Sequence, residues 1–295
     1  MAEIIIIYTL VNGGVYALLA IGFSLIFGVA RLINLAHTAF LMLAIYLMWF
    51  LLYQQGWGMF EAIAVAVVGV TLLGLLVYRF ILDRIREHHA AVLLITIGLA
   101  MIMQEAVSWH MLDTVGTTAT RMISPLISGY VDIFGVRVLN QHLLTLVVAA
   151  VIIIAVWLLL SKTKLGIAIR ATAQDAEVAN LMGISASRIL LLSMGLATAL
   201  AAVAGILYGP LEGVRPDMWG APLVTTMVIV VLGGLGSIKG SIIGAFIIAL
   251  VGNLCNFLLP GGGYLVQTFV LLTMVIVLVV RPGGLFGIML EEERL

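Results

Sequence analysis

The chain has 295 residues, 63% of them hydrophobic and only 9% charged, and a mean hydropathy of +1.25. A soluble domain carries about 25% charged residues, so the composition places this chain in a lipid bilayer. Its 14 basic and 14 acidic residues cancel, leaving no net field to attract nucleic acid, and its single cysteine, Cys255, excludes an internal disulfide and a cysteine metal cluster.

The apolar runs are long and continuous, as spanning helices of about 20 residues require. Barrel strands would alternate over about ten residues instead. The expected fold class is all-α: a polytopic bundle of about 8–9 transmembrane segments, some broken or re-entrant. The first run is 4–29. "MAEIIIIYTL" has neither the basic region nor the small-residue cleavage site of a secretory signal, so it reads as a membrane segment. Asn12 interrupts it.

The second run is 36–53. Between the two lies "ARLINLAHTAF", Ala30 to Phe40. An arginine at the bilayer centre costs about 2.5–3.5 kcal/mol on the translocon scale. Arg31 is therefore expected near the cytoplasmic face or in a wet cavity. Asn34 and His37 are three residues apart and are expected on one helix face. Their residue types leave open hydrogen-bonded structure or a polar path. No second histidine or carboxylate stands at metal spacing, and no metal is expected.

The third and fourth runs, 58–80 and 90–112, flank "YRFILDRIREHHA" with Arg79, Arg84 and Arg86. Basic loops stay in the cytoplasm. Glu61, Thr96, Gln104 and Glu105 are polar groups within these runs, and such groups usually face a bundle interior and mark pathways. The loop before the fifth run, 140–160, is expected outside, although it carries Arg121 and Arg137.

"SKTKLGIAIRATAQDAEVANLMGISASR", with Lys162, Lys164, Arg170 and Arg188, is expected inside. It is too polar to span, and its apolar positions follow no single helical stripe. Gly183 suits a C-terminal helix cap. A solvated connection and a short helix against another protein both fit these residues.

The remaining runs are 186–209, 222–235, 240–259 and 264–280. The loop "PLEGVRPDMWG" is expected outside, and "RPGGLFGIMLEEERL", with Arg281 and Arg294, inside. The run 222–235 is too short to cross comfortably. Nine crossings put the N-terminus outside, whereas a broken early segment puts it inside.

"VVLGGLGSIKGSIIGAFIIALVGN" only superficially resembles a phosphate loop. Lys239 precedes Gly240 rather than following a glycine, and no strand leads into it, so nucleotide binding is rejected. Gly236, Gly240 and Gly244 recur every four residues, a small-residue face that lets helix backbones approach in lipid. Gly233, Gly234 and Gly236 also permit a helix break, tolerated at membrane depth only inside protein or beside a water-filled path. Packing and path lining both remain open. No catalytic triad, no H-E-x-x-H and no carboxylate pair at fixed spacing is present, so an enzyme is not expected.

Taken together, these motifs resemble the H-type membrane-spanning permease of the branched-chain amino acid ABC transporters. "NGGVYALLAIGFSLIFGVARLINLAHTAF" looks like that family's opening, "TIGLAMIMQ" like its T-x-G-L-x-x-I-x-Q, and "TKLGIAIRATAQDAEVANLMGIS" like its inner loop. "LATALAAVAGILYG", "VLGGLGSIKGSIIGA" and "RPGGLFG" complete the match. Thr38 stands where the family has glycine.

The resemblance implies a single permease domain over 1–295 in the cell inner membrane, working with a second permease subunit, two cytoplasmic ATPase subunits and a periplasmic binding protein. ATP would be bound by the ATPases, with no cofactor on this chain. Residues 162–188 would form the ATPase-coupling loop, with Arg170, Thr172, Gln174, Asp175, Glu177, Asn180 and Gly183 in it and a docking helix near Thr172–Met182. Asn12, Asn34, His37, Thr96 and Gln104 would line or brace the path, with Arg31 at its cytoplasmic side. The same fold class serves urea, short amides and aromatic acids. A stand-alone secondary transporter would instead need coupling-ion carboxylates at the midplane. Only Glu61 and Glu105 could supply them, and neither has a basic partner at helical spacing.

Overall fold

Every apolar run forms a helix in the structure, a computed structural model that describes residues 1–133 and 135–286. In chain order the helices are α1 (Ala2–Ala30), α2 (His37–Tyr53), α3 (Met59–Val77), α4 (Asp83–Ile85), α5 (His89–Val115) and α6 (Asn140–Lys162). They continue with α7 (Lys164–Gln174), α8 (Ala176–Leu181), α9 (Ala186–Glu212), α10 (Gly220–Gly233), α11 (Ile238–Leu258) and α12 (Gly262–Val280). A single π turn, Tyr78–Leu82, joins α3 to α4 without a break.

Among the described residues seven helical runs are long and apolar enough to cross a bilayer: α1, Met59–Ile85, α5, α6, α9, α11 and α12. The fold is the expected all-α polytopic bundle. The helices α2 and α10 have 17 and 14 residues. At 1.5 Å per residue they span about 26 and 21 Å, less than the roughly 30 Å of hydrocarbon. Both therefore begin or end within the membrane.

The bundle is built around α1 and α9. α1 packs against α11, α9 and α6, while α9 packs against α1, α2 and α3. Lipid supplies no hydrophobic drive between helices, so small residues and polar bridges must hold them. Gly74 faces the Thr198 side chain, and a Cβ at Gly205 would sit 2.6 Å from the Leu41 carbonyl oxygen. Ser24 Oγ and Ser241 Oγ, both buried, join α1 to α11 at 2.5 Å.

One end of the bundle collects Arg31, Arg86, His89 and the α7–α9 segment around a shared cavity. Arg84, Lys162, Lys164, Arg170, Arg188 and Arg281 occupy the same ends of their helices. The positive-inside rule makes this the cytoplasmic end. Alternate passes of the nine helices then place the start of α1 outside. The outer end holds fewer basic groups. Arg137 pairs with Asp132 at 3.8 Å and Arg215 with Asp217 at 3.1 Å. Arg294 lies outside the described residues.

A feature of the outer loop that hydropathy does not announce is an antiparallel hairpin, β1 (Tyr130–Ile133) with β2 (Val136–Leu139), in register Tyr130↔Leu139. It is a decoration on the helical bundle. Arg121 and Val214 form a backbone bridge that ties this loop to the one after α9.

Candidate functional site

Three of the sequence-selected polar residues converge where α1 breaks before α2. Arg31 takes a left-handed conformation, φ 52° and ψ 30°, and its N–H closes the last turn of α1 on Phe27 O. Asn34 lies in the following loop and not on the helix. The expected shared helix face therefore does not form, because α2 starts only at His37. From the loop Asn34 Oδ1 accepts the Ala36 N–H at 3.1 Å, fixing the turn into α2.

His37 is fully buried, with Nε2 3.1 Å from the Leu19 carbonyl of α1. A carbonyl can only accept, so Nε2 carries the proton. Nδ1 is buried without a partner. Gly22 makes room for the ring, since a Cβ there would lie 2.9 Å from His37 Cε1. Thr96 on α5 completes the group. Its hydroxyl donates to Val92 O at 2.8 Å and accepts the Leu35 N–H at 3.2 Å. Asn34 and Thr96 thus accept N–H groups that the broken helix would otherwise leave open, while His37 ties the start of α2 to the middle of α1.

The other two residues lie elsewhere. Asn12 Nδ2 donates to Asn253 Oδ1 at 3.3 Å in the outer half of the α1–α11 contact, and Asn253 Nδ2 donates to Thr9 Oγ1 at 3.3 Å. Gln104 Oε1 accepts Trp219 Nε1–H at 2.7 Å, joining α5 to the start of α10. Nearly two turns further along α5, Tyr46 Oη and His110 Nδ1 lie 2.5 Å apart. That pair leaves no trace in the sequence beyond the aromatic residues recurring along α2.

On the cytoplasmic side a cavity of about 710 Å³ opens between Arg31, Arg86, His89, Thr172, Glu177 and Asn180. Its wall is two helices, not one over 172–182. Asp175 is extended, φ −154° and ψ 113°, and its carboxylate accepts the N–H groups of Glu177 and Val178 at 2.8 and 3.0 Å. That N-cap ends α7 and starts α8. Arg170 turns inward and its guanidinium donates to Leu160 O at the end of α6. Thr172 is buried, while Asn180 Oδ1 accepts the Ala186 N–H at 2.9 Å and so caps α9. Gly183, with φ 83°, reverses the chain after α8. Gln174, Asp175, Glu177, Leu181 and Met182 remain exposed at the tip.

The glycines divide by role. Gly240 and Gly244 stand on α11 against α10. A Cβ at Gly240 would collide with the Gly233 carbonyl, and one at Gly244 would lie 2.9 Å from Ile229 O. Gly236 precedes the helix, so it does not share that face. Its φ of 81° and that of Gly234, 98°, form the break, where Gly236 meets Gly28 of α1. The "RPGGLFG" segment then satisfies the open end of α10. Leu285 N–H donates to Leu232 O at 2.8 Å and Phe286 N–H to Gly233 O at 3.0 Å. The last glycine of that motif lies outside the described residues.

Comparison with known proteins agrees with this arrangement. Residues 5–279 match the family described as branched-chain amino acid transport system, permease component. The high-affinity branched-chain amino acid transport system permease protein BraD of Pseudomonas aeruginosa is 30% identical over 286 residues, covering 93% of this chain and 92% of the relative. LivH of Escherichia coli, of the same description, is 29% identical over 289 residues, with 93% and 92% covered. A chain of the solved structure of PsaBC from Streptococcus pneumoniae in complex with Fab aligns at TM-score 0.50 and 16% identity, over 94% of this chain and 91% of that one. At that identity the likeness concerns the fold alone.

Proposed function

The chain belongs to the permease components of branched-chain amino acid transport systems, and we propose that it is the membrane-spanning subunit of an ATP-driven importer of branched-chain amino acids in the cell inner membrane. A second permease subunit completes the path, two cytoplasmic ATPases bind and hydrolyse ATP, and a periplasmic binding protein delivers the solute. This chain carries no ATP chemistry. The observation that carries the reading is the match to BraD and LivH over nine-tenths of their length.

The structure supports the coupling role of residues 162–188. The α7–α8 tip lies on the basic, cytoplasmic side and exposes Leu181 and Met182 beside Asp175 and Glu177. Apolar groups ringed by charge at that end suit contact with an ATPase surface. Arg170 and Asn180 tie the tip to α6 and α9, so a displacement of the tip moves those helices. ATP binding and hydrolysis then bias a two-state permease. Asn34, His37 and Thr96 brace the helix break on the path.

The test is reconstitution. The tagged chain should co-purify with both ATPases and, in proteoliposomes supplied with its binding protein, accumulate leucine only with ATP. Uptake of urea or an amide in place of leucine would overturn the substrate class. Uptake driven by an ion gradient without ATP would overturn the importer class.

A further inference from the structure

Glu105 has no role in the brace, the break or the coupling tip. It lies well inside α5, ten residues before the helix ends at Val115 and sixteen after it starts at His89. Its side chain is exposed on the single chain, in a stripe with Leu94, Met101, Ile102, Trp109 and Leu112. Two other long helices expose mainly apolar residues. α6 shows Val147, Val151, Ile154 and Leu158, and α12 shows Leu272, Val275, Ile276 and Val279. A carboxylate at such depth is costly against hydrocarbon and marks a wet or partnered face.

Among the described residues no basic group forms an ion pair with it. Its hydrogen-bond donor is Gln104 Nε2, at 3.4 Å. None of the described residues supplies its counter-charge.

The neighbouring backbone is irregular and charged on its outer side. Gln104 also accepts from Trp219, the residue that precedes α10. The irregular α9–α10 loop, with the exposed Arg215–Asp217 pair, thus descends to the level of Gln104. Non-helical backbone at membrane depth survives only when buried in protein or lining a water-filled cavity. Val214, Met218 and Trp219 of this loop are buried in protein, whereas the side chains of Arg215 and Asp217 reach solvent on the outer side. We infer that Glu105 faces a water-filled path entered from outside and takes the ammonium group of the solute, with Gln104 holding the carboxylate and the second permease subunit closing the far wall. The inference rests on the importer reading and adds its chemical selectivity: a cationic amine at one end of the solute.

The experiment uses the whole complex in proteoliposomes with binding protein, ATP and leucine. Wild-type uptake is measured first, and its failure would count against the importer reading alone. Given wild-type uptake, Glu105→Gln should lower leucine transport about tenfold or more, as loss of a charge partner does. Glu105→Asp should restore part of it, and both should assemble in wild-type yield. Glu105→Cys should react with a charged, water-soluble thiol reagent added outside. Val151→Cys on the apolar exposed face of α6 should not, and the native Cys255 is buried. Wild-type leucine transport by Glu105→Gln would overturn the proposal. So would an unlabelled Glu105→Cys, which makes the face dry. Loss of the second permease subunit from Glu105→Gln would also overturn it, since the carboxylate would then be an intersubunit ion pair.

Discussion

Gly240→Ala tests the contact on which the α10–α11 break depends. The new Cβ would overlap the Gly233 carbonyl oxygen and lie 2.7 Å from the carbonyl carbon and 3.1 Å from Cα. Ordinary contact begins near 3.4 Å. All three atoms are backbone, so no rotamer change relieves the overlap. The helices must move apart by several tenths of an ångström at the carbon and further at the oxygen. That movement disturbs the Gly233 carbonyl, which accepts the Phe286 N–H. Forcing a methyl into a packed contact costs about 1–3 kcal/mol, and replacing glycine by alanine in a helix returns about 0.5–1 kcal/mol. The net loss is about 0.5–2 kcal/mol, roughly two- to thirty-fold in the folded-to-unfolded ratio. Gly69→Ala on α3 is the control, because its Cβ would lie 3.6 Å from Leu47 Cδ2 and only the helical gain remains. Heating the purified chain in detergent and following the surviving monodisperse fraction measures both. Gly240→Ala melting at or above wild type would refute the packing argument.

Thr96→Val keeps the shape of the residue and removes the acceptor for the Leu35 N–H, which should cost about 1–2 kcal/mol in the same melting assay. His37→Leu removes the hydrogen bond from the ring to the Leu19 carbonyl and places a branched side chain beside Gly22. It should lower stability and slow transport of every solute alike, and unequal effects on leucine and valine uptake would assign His37 to the path wall. Asp175→Ala removes the α8 cap, about 1 kcal/mol, whereas Asp175→Asn keeps it. If the tip docks the ATPase through its shape, ATPase co-purification falls in the alanine variant only; equal loss in both makes the charge the docking determinant.

The sequence by itself determined the solvent, the helices and which loops are basic. Those features are local sums: twenty apolar residues span wherever they stand, basic loops stay inside, and Gly183 ends a helix through its own backbone. The opening stretch was legible to the same extent, as a polar interruption between two spans. Where Asn34 points was not, because the helix start at His37 depends on an N–H at Leu35 that is satisfied by Thr96, sixty-one residues away. The four-residue glycine repeat announced a close helix contact but not its true members, since Gly236 is drawn out of α11 to meet Gly28. Tertiary structure alone decided which faces meet. Helices that are apolar all round carry little amphipathic signal, and lipid is as apolar as their side chains. Faces are therefore chosen by the fit of small residues and by rare polar pairs such as Ser24 with Ser241, or Gln104 with Trp219. The same choice left Glu105 uncovered, a property no count of hydropathy along the chain contains.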